Sequence, residues 1–176
     1  MRGIITVNLD TIKANVLKFR RRLGENAKVV GVVKADGYGH GAKEIANYVG
    51  AIDSFAVAGA DEGEELRSVT RKPIIILGYD EAETAARYDL TPTVWDKSQI
   101  KEIAAASEKL GKKATVAIAV DTGMNRIGVK GEREFAEIVE EIRRYKNLTI
   151  SEIYSHLPCG DDEDISLGQL RDFTEI

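Results

Sequence analysis

Lys34, Arg126 and the two histidines, His40 and His156, are the side chains whose type and setting could do chemistry. Lys34 closes the apolar run Val29-Val30-Gly31-Val32-Val33 and is followed by ADGYGHG, with glycines at 37, 39 and 41. A lysine becomes a nucleophile toward carbonyl compounds when burial or a neighbouring cation lowers its pKa enough to expose the free amine. A lone lysine after a strand is ordinarily just solvated. Arg126 stands in VDTGMNRIG, where pairing with Asp121 is the plain alternative to ligand binding. His156 follows the run Leu148–Ser155, and the simplest job for His40 is closing the glycine turn. Lysine, arginine and histidine together with glycine-rich backbone would make a positive, donor-rich pocket suited to a phosphorylated or carboxylate-bearing ligand. Cys159 has no partner that would activate it, and Asp161-Asp162-Glu163-Asp164 reads as a solvated turn rather than a cation site. The chain has no zinc-type spacing, nucleoside triphosphate loop, dinucleotide fingerprint or serine elbow.

The elements that must position these residues alternate. Ile4 to Asn8 reads as a short strand, and Asp10 as the cap of a helix over 11–23 with the stripe Ile12, Val16, Phe19 and Leu23. The unbroken valines at 29–33 predict a strand covered on both faces, ending at Lys34, and a helix opens at Ala42. Further strands are expected at 54–58, 74–77, 91–94, 115–120 and 148–155. Between them the pattern predicts helices at 61–69, 81–88, 97–110 and 132–145, and a last one is entered through Leu167, Leu170 and Phe173. Strands alternating with amphipathic helices, without a long linker, mean an α/β fold on a parallel sheet. In such folds ligands bind at the carboxyl ends of the strands, where Lys34, Arg126 and His156 all fall. Six strands fit a doubly wound sheet or an incomplete (β/α)8 barrel, since a closed barrel has eight strands and about 250 residues.

The composition narrows the function. The 176 residues carry 43% hydrophobic side chains and a net charge of −4 with both signs interspersed, which gives no basic stripe for nucleic acid or an anionic membrane. No apolar run is long enough to span a bilayer. One cysteine and a polar start point to a cytoplasmic protein without a disulfide framework.

Three segments, VVKADGYGHG (32–41), VDTGMNRIG (120–128) and SHLPCGDDED (155–164), resemble in order and spacing the amino-terminal half of alanine racemases. VNLDTIKANV (7–16) and LTPTVWD (90–96) fit the same family, so the similarity spans nearly the whole chain. The resemblance implies a pyridoxal-phosphate enzyme with a (β/α)8 barrel and a carboxy-terminal β domain, working as a homodimer that interconverts L- and D-alanine. Carried over by position, Lys34 would hold the cofactor as an aldimine and act as one of two bases. Tyr38 would bind the cofactor phosphate, Arg126 would donate to its phenolic oxygen, and His156 would lie against the pyridine ring. No metal is implied. Residues 1–8 would pair with the β domain, and residues 9–176 would form about six of the eight β/α units.

Three departures from the family pattern stand out. Ala119 replaces a lysine that, carbamylated, braces the arginine in many relatives. Gly37 stands where alanine is commoner. The chain runs about half the family's length, which would place the last two strands, the β domain and the second, tyrosine base beyond Ile176. The isolated chain is therefore expected to be inactive, with open sheet edges that invite association. Two other readings fit the same residues: a pyridoxal-phosphate carrier barrel without turnover, and a half-barrel that binds nothing.

Overall fold

A computed structural model describes residues 3–24 and 26–176 and divides the chain into two compact units, Met1–Leu77 and Gly78–Ile176. In each unit three parallel strands alternate with helices, and sheet neighbours are also sequence neighbours. The six β/α units are those of an incomplete (β/α)8 barrel. The boundary after Leu77 is a division that hydropathy patterning does not mark.

In the first unit, helix α1 (Leu9–Leu23) begins two residues before its expected start. Asn8, rather than Asp10, is the cap: its Oδ1 accepts the Thr11 N–H at 3.0 Å, while Asp10 accepts the Tyr48 hydroxyl. Residues 3–8 form no strand, and Ile4 and Ile5 are about nine-tenths exposed. An extended segment becomes a strand only through a hydrogen-bonding neighbour, and among the described residues these six have none. The α1 stripe is also incompletely covered, with Phe19 62% exposed. Arg20 fastens the helix by donating to Ala51 O at 2.9 Å and to Asp53 at 2.6 Å.

Strand β1 (Val30–Val32) pairs with β2 (Ser54–Val57), and β2 pairs with β3 (Ile74–Ile76). Every residue of β2 and β3 is buried. Covering a side chain such as Ile74 or Ile76 contributes about 1.5–3 kcal/mol, so these two strands carry much of the unit's core. The expectation that β1 is covered on both faces is not met. It is an edge strand, and Val30 and Val32 are nearly half exposed while Val33 just beyond is buried. The strand is followed by a short helical turn, α2 (Lys34–Gly39), and by α3 (Ala42–Tyr48), which opens where the sequence predicts. Helix α4 (Ala60–Arg67) lies between β2 and β3.

The second unit is built on β4 (Thr91–Val94), β5 (Ala114–Val120) and β6 (Leu148–Ser155), with helices α5 (Ala82–Arg87), α6 (Lys97–Lys109), α7 (Gly131–Arg143) and α8 (Glu163–Thr174). Val94, Ile100, Ile103, Val116, Ile118, Ile138 and Ile142 form its core, so α6 and α7 cover the sheet with the faces their periodicity predicts. Asp96 and Gln99 make a reciprocal capping box at the start of α6. The acidic run is the start of α8, which begins four residues before Leu167. Asp162 accepts the Ile165 N–H at 3.0 Å, and Glu163 and Asp164 occupy the first turn, where the helix dipole favours negative charge.

Candidate active site

The backbone after Lys34 is strained. Ala35, Asp36, Gly37 and Tyr38 have φ of +52°, +53°, +62° and +54°, with ψ between +36° and +47°. This is one turn of left-handed helix, in which three of the four residues are not glycine. L-residues avoid that conformation at a cost of roughly 1–2 kcal/mol each, so the turn stores about 3–6 kcal/mol. The sequence marks only Gly37; nothing in Ala35, Asp36 or Tyr38 announces a positive φ.

Hydrogen bonds fix the turn at both ends. Val33 donates to Ala56 O at 2.8 Å and accepts from the Gly37 N–H at 2.7 Å, which ties the turn to β2. Asp36 turns its carboxylate to the Ala42 N–H at 2.7 Å and so closes the turn onto α3. Glu62 of α4 receives the N–H of Ala35 on one carboxylate oxygen and that of Ala58 on the other, each at 2.7 Å. His40 contacts Gly37 O through Nδ1 at 2.8 Å and donates its backbone N–H to the same oxygen at 3.2 Å. That is the turn-closing job expected of it. Bonds to charged acceptors are worth about 1.5–3 kcal/mol, and at the lower end when partly exposed, so the three carboxylate contacts are of the same size as the strain.

Lys34 emerges half-buried at the head of this turn, with its ammonium 6.0 Å from the Tyr38 ring centroid. No carboxylate pairs with it among the described residues. Tyr38 is exposed, its hydroxyl open to a ligand.

In the second unit, Arg126 sits on a loop built for its backbone. The Asp121 carboxylate accepts the N–H of Gly123 at 3.0 Å and of Asn125 at 2.9 Å, and Asn125 takes φ +57°. Burial alone would raise the Asp121 pKa, but the N–H groups of Asn125 and Gly123, with Lys130 nearby, outweigh it and hold the carboxyl below its ordinary range. Asp121 is therefore occupied by its own loop and by Lys130 at 3.7 Å, and it does not pair with Arg126 as the plain alternative supposed. The loop returns to β5 through Asp121 N–H to Val129 O at 2.9 Å and Val129 N–H to Ala119 O at 3.0 Å. Gly128 makes this contact: a Cβ there would lie 2.7 Å from the Asp121 nitrogen. Arg126 is left exposed, with no ion pair among the described residues.

Tyr154 is the residue that sequence reasoning missed here. It is the register partner of Ala119, it lies within 3.1 Å of Thr93 Oγ1, and burial raises its pKa against the opposing influence of Thr93 and Arg126. The phenol is thus neutral and close enough to Arg126 to sense its charge. His156 follows β6 directly and is exposed, and Thr122 Oγ1 and Ser155 Oγ, 2.7 Å apart, join the Arg126 loop to the residue before it. Cys159 is a free thiol with no activating neighbour among the described residues. A cleft of about 510 Å³ in this unit lies against the Arg126 loop, lined by Asp121, Gly123, Asn125 and Lys130 on the loop side and by Glu132, Asp172 and Glu175 opposite, and none of the four candidate residues lines it.

Taken by itself, the first unit offers in Lys34 an amine without a competing carboxylate among the described residues, as reaction with an aldehyde requires, and the second offers in Arg126 a donor free to meet a ligand oxygen.

The sequence profile described as alanine racemase, N-terminal domain, matches residues 7–176. The chain belongs to this family. It is 38% identical over 170 residues to alanine racemase 2 of Caldanaerobacter subterraneus subsp. tengcongensis, covering 91% of this chain and 43% of that protein. In structure it matches alanine racemase of Clostridium difficile 630 with a TM-score of 0.86 at 32% identity, over 96% of this chain and 46% of that one. Histidine racemase of Leuconostoc mesenteroides subsp. sake matches with a TM-score of 0.84 at 25% identity, over 95% and 47%. The chain thus spans less than half the length of these relatives. Its family is one of pyridoxal-phosphate-dependent racemases. No helix among the described residues is long and apolar enough to cross a membrane.

Proposed function

We propose that the chain is the amino-terminal barrel portion of a cytoplasmic, homodimeric enzyme that interconverts L- and D-alanine with pyridoxal 5'-phosphate on Lys34. The observation that carries this reading is Lys34, without a carboxylate partner among the described residues, at the head of a strained left-handed turn after a sheet strand. In this reading Lys34 would hold the cofactor through its Nζ and would move the substrate α-proton on one face. Tyr38 would bind the cofactor's phosphate, Arg126 would donate to its phenolic oxygen, and His156 would lie against its ring. When bound, the cofactor supplies an electron sink for the charge left as the α-proton departs. The protein's part is positioning and electrostatics. Residues 1–8 serve as an arm for a β domain of a longer chain, and 9–176 as the barrel portion.

Borohydride reduction after incubation with pyridoxal phosphate, followed by peptide mapping, is expected to place one adduct on Lys34, absent in K34A. An adduct spread over surface lysines, or none, overturns the assignment. A coupled D-alanine assay is expected to show little turnover by the 176-residue chain alone, and robust turnover would refute its dependence on a second base from elsewhere. The likeness to a histidine racemase favours, as a second reading, an amino acid larger than alanine. Deuterium exchange at the α-carbon of each amino acid by the longer protein separates the two.

A further inference from the structure

We infer that Glu62 is a positioning residue for Lys34, acting through the Ala35 amide rather than on any ligand; the inference rests on the reading of Lys34 as the cofactor-bearing lysine. Glu62 lies 27 residues from Ala35 in the chain, yet its carboxylate bridges the N–H that begins the left-handed turn and the N–H of Ala58 that follows β2, both at 2.7 Å.

The geometry makes the bridge specific. Both N–H groups lie past the ends of their strands, outside the ladder, and each donates to this carboxylate. One charged acceptor satisfies both, so it fixes the peptide plane joining Lys34 to Ala35 relative to β2. A side chain's direction follows its backbone, and a strained peptide without a clasp relaxes toward an ordinary conformation and carries Lys34 with it. Glu65, one turn further along α4, has a different task, an ion pair with Lys43 at 2.6 Å. Glu62 and Glu65, two of the four acidic residues of this short helix, are thus separable by experiment.

The test uses the 176-residue chain with E62A, E62Q and, as a control, E65Q. The first readout needs no cofactor. Amide hydrogen exchange and backbone chemical shifts of Ala35 to Tyr38 report the turn itself, and exchange at Ala35 and Ala58 is expected to accelerate at least about ten-fold in E62A, the loss of a hydrogen bond to a charged group. E62Q keeps the shape and a single acceptor, so one of the two amides is expected to stay protected and the other not. E65Q is expected to leave both unchanged.

The second readout is the rate at which pyridoxal phosphate is trapped by borohydride on Lys34 relative to an exposed lysine such as Lys109 in the same sample. It is expected to fall about ten-fold in E62A and partly recover in E62Q. Unchanged exchange at Ala35 in E62A and E62Q overturns the clasp, and changed exchange with an unaltered Lys34 trapping ratio overturns the positioning role. Failure of the Lys34 assignment looks different: wild type itself then traps nothing on Lys34, whatever the amides do.

Discussion

Replacing Gly128 by alanine tests how the Arg126 loop is held. The added Cβ would lie 2.7 Å from the Asp121 nitrogen, 2.9 Å from the Val120 carbonyl carbon and 3.1 Å from the Ala119 oxygen, all backbone atoms of a strand end that cannot swing aside like a side chain. The φ of +117° adds strain of about 1–3 kcal/mol for any residue with a Cβ. Forcing the contact adds overpacking of about 1–3 kcal/mol. Staying in place therefore costs roughly 2–6 kcal/mol. The alternative is for the loop to leave the strand, which breaks the two backbone bonds between β5 and Val129 at about 1 kcal/mol net each. Detachment is the cheaper outcome across most of that range, so the penalty should level off near 2–3 kcal/mol with the core intact.

G128A is thus expected to lose about 2–3 kcal/mol in urea unfolding followed by a probe of the second unit, such as Trp95 fluorescence, with an unchanged slope. Exchange at the Asp121 and Val129 amides should accelerate while that of Val116 and Ile118 does not. Stability within about 0.5 kcal/mol of wild type, with both amides still protected, would refute the close-contact account of this glycine.

Asp53 sets an acid limit on the first unit. The Val29 N–H, with Arg20 and Lys72, draws its pKa below the ordinary value against the raising effect of burial, so its contribution is present above the unfolded-state pKa of about 3.9 and is lost as pH falls through the lower folded value. D53N should flatten the fall in stability below about pH 4, seen by acid titration of circular dichroism, and an unchanged acid limb would refute this. Arg126 is exposed and has no ion pair among the described residues, so its attraction for a phosphorylated ligand is open to screening. Pyridoxal phosphate affinity should weaken as sodium chloride rises from about 0.01 to 0.15 M, less steeply in R126A, and identical salt slopes would remove Arg126 from the binding charge.

Much of the fold is legible in the sequence for a physical reason. Buried runs such as Ile74–Ile76 and amphipathic stripes such as Ile138 and Ile142 are set by the hydrophobic effect, which periodicity reports directly. The errors lie where a residue's state depends on a neighbour. The valines of β1 have the composition of a covered strand but stand at an edge, and residues 4–8 have the composition of a strand but no pairing partner among the described residues. The motifs point to Lys34 and Arg126, whereas nothing in them points to Glu62 or Tyr154. Glu62 meets Ala35, and Tyr154 meets Thr93, only through tertiary packing, and an acidic residue in an acidic helix or a tyrosine in a strand carries no local sign of that.

The two units display their cations by opposite means, and that difference follows from backbone chemistry. Around Arg126 the positive φ values fall on Gly123, Asn125 and Gly128, residues that adopt such backbone at little cost, so the loop is nearly strain-free and depends on close contact. After Lys34 the left-handed turn runs through Ala35, Asp36 and Tyr38, so it depends on the bonds that hold it, those of Asp36 and Glu62 among them. Two glycines at 35 and 36 would form the turn without strain, but they would also leave Lys34 on a flexible backbone and remove the Asp36 contact to Ala42. A strained turn over-determined by carboxylates holds its leading side chain in one direction, which a freely hinged one does not. That is the property a lysine needs if the same amine must hold a cofactor and then meet a substrate proton.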